Sequence, residues 1–211
     1  MSDLPLLEFN PKLPKLSKSE RKVLDLLVEA GKLIVPIYEE QLKQTSFDKK
    51  EVEKAAKKNP QILSPFTLIE KINNKLVATS YHVKYAKLLK PVAEKLEQAA
   101  EISENKDFGK YLRLRAKALI IGSYELLVAS RLEMKPYILD ISIGPLHHYD
   151  DRLPFSKASY HAWVGVVEKE GTNRLYNYKS VTLSAIRKAS LPRERIDLDS
   201  SRIKAKVLDV V

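Results

Sequence analysis

Three of the chain's four histidines, His147, His148 and His161, fall between Tyr137 and Glu168, together with Tyr149, Asp150, Asp151 and the only tryptophan, Trp163. Imidazole exchanges a proton near neutral pH and ligates zinc, copper or nickel. Such a cluster therefore raises acid–base work and metal binding as the two chemistries to weigh. No carboxylate lies at a helical or strand-paired spacing that the sequence alone certifies. The residues therefore read as the polar lining of a cleft or as ordinary surface histidines, with no catalytic residue and no metal ligand assigned. The absence of cysteine excludes disulfides, thiol catalysis and cysteine-ligated zinc.

Two β-rich runs must hold this cluster. Tyr137-Ile-Leu-Asp-Ile-Ser-Ile alternates as a strand, with Leu139, Ile141 and Ile143 on one face and Ile138, Asp140 and Ser142 on the other. Gly144-Pro145 is expected to end it. After a polar connection, Tyr160–Glu168 alternates as a partner strand, with Trp163 expected in the core.

The preceding chain reads as helical. Residues 1–16 carry Pro5, Pro11 and Pro14 and suggest an extended arm. Ser17-Lys-Ser-Glu20 is a capping box, and Val23, Leu27, Ala30, Ile34 and Ile37 then repeat at helical spacing, which predicts one helix to about Gln44 with a kink at Pro36. Asp48-Lys-Lys-Glu51 has the spacing of a second box, and Asn59-Pro60 closes the basic helix it opens. Phe66–Ile72 and Lys75–Thr79 flank Asn73-Asn74, a type I′ hairpin signal. Tyr81 to about Ser103 reads as a helix kinked at Pro91. Another helix starts at Asn105 and breaks at Gly122-Ser123, and Tyr124–Leu132 adds a further turn or two.

Beyond the second strand, Glu170-Gly171-Thr172 reads as a turn, and a helix-like run follows over 172–190. Arg202–Val211 reads as a strand that needs a partner, which suggests that the natural sequence continues. The fold class is α+β, mostly helical with a small antiparallel or mixed sheet or barrel. We read 1–211 as one lobe-like domain: an arm over 1–16, a mainly helical part over 17–132 with a hairpin near 66–79, and a β-rich part over 133–211.

The net charge of +10 favours anionic partners at long range. The lysines are scattered along helix faces, and no aromatic-basic recognition motif appears, which weighs against nucleic acid. No apolar run approaches the length of a membrane span and the N-terminus is not a signal peptide, so the expected setting is the cytoplasm.

Several segments together resemble the N-terminal half of the dipeptidyl-peptidase III family of zinc peptidases, in its bacterial and plant branch. They are Leu16–Ala30, Ser64–Glu70, Tyr85–Leu89, Ala99–Ser103, Lys110–Leu119, Ile143–Asp151 and Lys157–Val164. The resemblance implies the non-zinc, substrate-gripping lobe of a two-lobed enzyme. It also implies that His147, Tyr149, Asp151 and His161 occupy substrate-binding positions. Family members hold zinc on a His-Glu-x-x-Gly-His helix, and this sequence has no such motif, so no cofactor is expected in this chain. Where the family has two glutamates that bind the substrate's ammonium, this chain has His147 and His161, exchanging fixed negative charge for groups mostly neutral at pH 7. The implied function is a noncatalytic or incomplete relative that binds peptide or a second polypeptide lobe. The alternatives are the N-terminal piece of a complete zinc dipeptidyl or aminopeptidase, or a basic nucleic-acid-binding module.

Overall fold

The first helix, α1 (Lys18–Lys32), begins at a full capping box. Ser17 Oγ accepts from the Glu20 amide at 3.1 Å, and the Glu20 carboxylate accepts from the Ser17 amide at 2.7 Å. In this computed structural model the described residues are 11, 13–44, 47–123, 131, 134, 137–147, 157–175, 178, 181 and 207–210. The predicted single helix to Gln44 is two helices. Leu33 and Ile34 form a turn, and α2 (Val35–Leu42) carries Pro36 in its first turn, where a missing N–H costs nothing. Asp48 caps α3 (Lys49–Ala56), accepting from Lys50 and Glu51 amides. The Glu51 carboxylate pairs with Lys71 at 2.7 Å.

A 3-10 turn at Pro60–Leu63 leads into the hairpin of β1 (Thr67–Ile72) and β2 (Lys75–Ser80). Asn73 and Asn74 adopt φ of 49° and 62°, as a type I′ turn requires. Then α4 (Tyr81–Lys84) breaks at Tyr85 before α5 (Ala86–Ile102), so the interruption precedes Pro91. Its cause is long-range: Tyr81, Tyr85 and Tyr160 pack as an aromatic trio with centroids 5.6–6.0 Å apart. Asn105 caps α6 (Lys106–Ile121), and Gly122 ends it at φ 69°, with the His82 ring pressed where a Cβ would stand.

Helix α1 packs on a three-stranded antiparallel sheet, ordered β3 (Leu139–His147), β4 (Ser159–Glu168), β5 (Val207–Val210), α2 packs on β4, and α5 and α6 complete the same core. Leu139, Ile141 and Ile143 from β3 and Tyr160, Val164 and Val166 from β4 join the buried core with Leu24, Leu27, Leu89, Leu96 and Leu112. Each such side chain contributes about 1.5–3 kcal/mol through burial. The fold class is α+β, with two small antiparallel sheets among the described residues. No helix among them is long and apolar enough to cross a membrane.

Three further expectations differ from the structure. Gly144-Pro145 does not end β3, which continues to His147 with an irregularity after Pro145; β3 is an outer strand of the sheet, where proline is tolerated. Glu170-Gly171-Thr172 lies within a helical segment, 169–175, that follows β4 directly. The Glu168 carboxylate accepts from the amides of Glu170 and Gly171 and so caps it. Trp163 is 49% exposed because it points from β4 away from the helices. Residues 124–130, 182–190 and 148–156, and most of 1–16, lie outside the described residues.

The sheet meets the hairpin through Lys157, which is fully buried. Its ammonium donates to the Ile62 and Ser64 carbonyls at 2.7 and 2.6 Å and to Thr67 Oγ1 at 2.9 Å. Next to it, the Ala158 amide donates to the Pro65 carbonyl at 2.8 Å. Lys157→Met is expected to lower the unfolding free energy by about 3 kcal/mol, because it strands buried acceptors. Burial also pushes the Lys157 ammonium down from 10.5 to about 8. Above about pH 8 the unfolded chain therefore holds a proton that the folded chain releases, and stability rises with pH up to about 10.5. Denaturant titrations at pH 8 and 10 should show the gap between wild type and Lys157→Met widening, and a constant or narrowing gap would contradict this.

Candidate functional site

Strand β4 is built to present one face outward. Tyr160, Ala162, Val164 and Val166 alternate toward the helices, which leaves Ser159, His161, Trp163 and Val167 on the opposite face. The start of the strand is held by Gln41 of α2, whose amide brackets two backbone groups. Its Nε2 donates to the Ala158 carbonyl at 3.0 Å and its Oε1 accepts from the Tyr160 amide at 2.8 Å. Gln41 is fully buried, at the next position after Ile37 on the apolar stripe that begins at Val23.

His161 is half-buried against the Tyr38 ring, with centroids 5.3 Å apart. One ring nitrogen lies 2.6 Å from Ser159 Oγ, which fixes the plane of the imidazole. Ser159 is itself fully buried, so the pair orients His161 and does not offer the serine hydroxyl to a substrate. The register pairs His161 with Gly144 and His147 with Ser159. The two histidines are therefore on neighbouring strands, but they are not direct cross-strand partners. Tyr149 and Asp151 lie outside the described residues. Among the described residues no group of three His, Asp or Glu side chains is placed to hold a metal ion.

Behind β3 stands a polar cluster that sequence reading did not assemble. The Tyr111 hydroxyl donates to the Ile141 carbonyl at 2.8 Å and accepts from Arg115 and Arg131 at 2.8 and 3.1 Å. Arg131 also donates to the Ile141 carbonyl at 2.9 Å and pairs with the buried Asp140 at 3.0 Å. These groups occupy the outer edge of β3 and hold the strand that carries His147 in register with β4. The sequence held one signal for this, a carboxylate inside the apolar run Ile138–Ile143. The identity of its partner had none.

No protein-family model and no curated protein matches this chain. Solved structures do. A dipeptidyl-peptidase III from Caldithrix abyssi superposes with a TM-score of 0.71 at 23% identity, covering 82% of this chain and 44% of that one. The dipeptidyl-peptidase III from Corallococcus sp. strain EGB gives 0.77 at 17% identity, covering 97% and 49%. This chain has the fold of part of a dipeptidyl-peptidase III. It spans about half the length of the structures it matches. At these identities the likeness is one of fold.

The exposed face of β4 has a direct optical reporter. Trp163, being the only tryptophan, should emit as a solvent-accessible indole in the folded protein and be quenched by acrylamide almost as readily as after unfolding. Emission that is strongly protected in the folded state would contradict its outward placement.

Proposed function

We propose that this chain is a dipeptidyl-peptidase III-like substrate lobe that binds peptide, or a partner chain, along the outer face of β4 and does not hydrolyse peptide bonds by itself. The observation that carries this reading is the superposition on two dipeptidyl-peptidase III structures over 82% and 97% of the chain, in a sequence that holds no His-Glu-x-x-Gly-His. Metal-assisted hydrolysis needs a bound ion to lower the pKa of water and a general base beside it. The residues we assign to binding are His147, Tyr149, Asp151 and His161. His161 and Trp163 supply an oriented imidazole and an exposed aromatic surface, suited to packing against an extended chain. The reading places the protein in the cytoplasm, since a chain without cysteine requires no oxidising compartment.

A second reading rests on the coverage of only 44% and 49% of the matched structures. In it, this chain is the first piece of a longer or two-chain zinc peptidase. A downstream reading frame encoding His-Glu-x-x-Gly-His would establish that reading, and unrelated sequence there would remove it.

Incubating the purified chain with dipeptidyl-2-naphthylamides and added zinc should give no release of naphthylamine above the blank. Robust, chelator-sensitive turnover would show that the chain alone is a peptidase and overturn the proposal.

A further inference from the structure

The β1–β2 hairpin is a separate two-stranded sheet, and one of its edges borders a cavity of about 590 Å3. Among the described residues, the lining includes Leu68, Ile69, Glu70 and Lys71, four consecutive residues of β1. Side chains alternate between the two faces of a strand, so four in a row border one cavity when the strand turns its edge toward it. The two-residue turn at Asn73-Asn74 makes Ile72 and Lys75 a hydrogen-bonded pair. Alternation then assigns the main-chain groups of Leu68 and Glu70 to β2 and directs those of Ile69 and Lys71 outward. No described backbone group bonds these outward groups.

The same cavity is lined by two polar side chains with unmet hydrogen bonds. The Tyr85 hydroxyl and the Gln44 amide nitrogen are buried and lie close to each other, but neither makes a hydrogen bond of good geometry among the described residues. Tyr85 itself is only 2% exposed. Burial, with Tyr81, Glu40 and Glu70 nearby, holds its phenol above the ordinary range against the opposing effect of Gln44, so it stays a donor. Those carboxylates disfavour an anion beside it, and a neutral carbonyl oxygen is the acceptor that fits. Phe47 and Leu68 add apolar wall. At the rim Lys84 is paired with Glu70 and Lys71 with Glu51, so much of the charge there is already compensated.

We propose that this edge of β1 takes up an extended, uncharged peptide segment as a third strand. Its main chain bonds Ile69 and Lys71, and one of its carbonyls accepts from Tyr85 and Gln44. Strand addition of this kind draws affinity from main-chain hydrogen bonds and selectivity from alternate side chains. The site lies on a different sheet from the β4 face and does not depend on the function proposed for that face.

The test uses the full chain labelled with nitrogen-15 and the probe acetyl-Thr-Val-Thr-Val-Thr-amide. Saturable shifts of the Ile69 and Lys71 amides are expected. A version of the peptide N-methylated at alternate residues should bind at least about tenfold more weakly, because it cannot complete the ladder. Tyr85→Phe should weaken binding about fivefold, the worth of one neutral hydrogen bond. Lys71→Pro, which removes an outward N–H and leaves the β2 ladder intact, should weaken it at least as much, whereas Lys71→Ala should not. If Lys71→Pro does not fold, the N-methylated peptide on the wild-type chain decides the matter. Equal binding of the two peptides, no shift at Ile69 and Lys71, or shifts confined to β4 would each overturn the proposal.

Discussion

A buried ammonium, paired among the described residues with carbonyls and a hydroxyl and with no carboxylate, holds the two halves of this chain together. Lys157 stands two residues before β4, and its three donors are taken by the Ile62 and Ser64 carbonyls and by Thr67 Oγ1. Burying a charge is costly unless its hydrogen bonds are met, and here all three are. The consequence is geometric. The connection between the 3-10 turn and β1 is pinned to the start of β4, and Ala158 adds a main-chain bond to Pro65 beside it. Gln41 then brackets Ala158 and Tyr160 from α2. Three segments far apart in sequence thus converge on the first residues of one strand.

That convergence gives β4 its two-faced character. One face is buried in the core beneath α1, while the other carries the half-buried His161 and the exposed Trp163. His161 is held by Ser159 and Tyr38, so its ring is oriented in advance of any ligand. On the far side of β3, Tyr111, Arg115, Arg131 and Asp140 occupy the strand's outer edge with side chains. Among the described residues the outer face of β4 keeps Trp163 exposed while that edge is engaged, an arrangement that favours binding across the face at β4.

Features set by local chemistry were legible in the sequence. The Ser17–Glu20 box, the Asn73-Asn74 turn, the Asn105 cap and the Gly122 stop each depend on a few neighbouring residues, and each was readable from them. The alternation of Leu139, Ile141 and Ile143 likewise gave the core face of β3. Features set by distant packing were not. The break at Tyr85 depends on Tyr160, 75 positions later by subtraction of the two residue numbers. Lys157 looks like any loop lysine until Ile62 and Thr67 surround it. Trp163 reads as core because large aromatics usually are, yet on the outer face of β4 the ring of Tyr38 reaches His161 and Trp163 stays 49% exposed. At the site, the two strands of His147 and His161 are readable from the sequence, but the irregularity after Pro145, which pairs His147 with Ser159 in place of Ala158, is not.

The central claim is that the outer face of β4 is the binding surface of a dipeptidyl-peptidase III-like lobe. Hydrogen–deuterium exchange of the full chain, with and without an unblocked tetrapeptide such as Val-Val-Tyr-Pro, addresses it most directly. Slower exchange within Ser159–Val164 and the facing part of β3 is expected when the peptide is present. Unchanged exchange there at saturating peptide, with protection found only elsewhere, would contradict it.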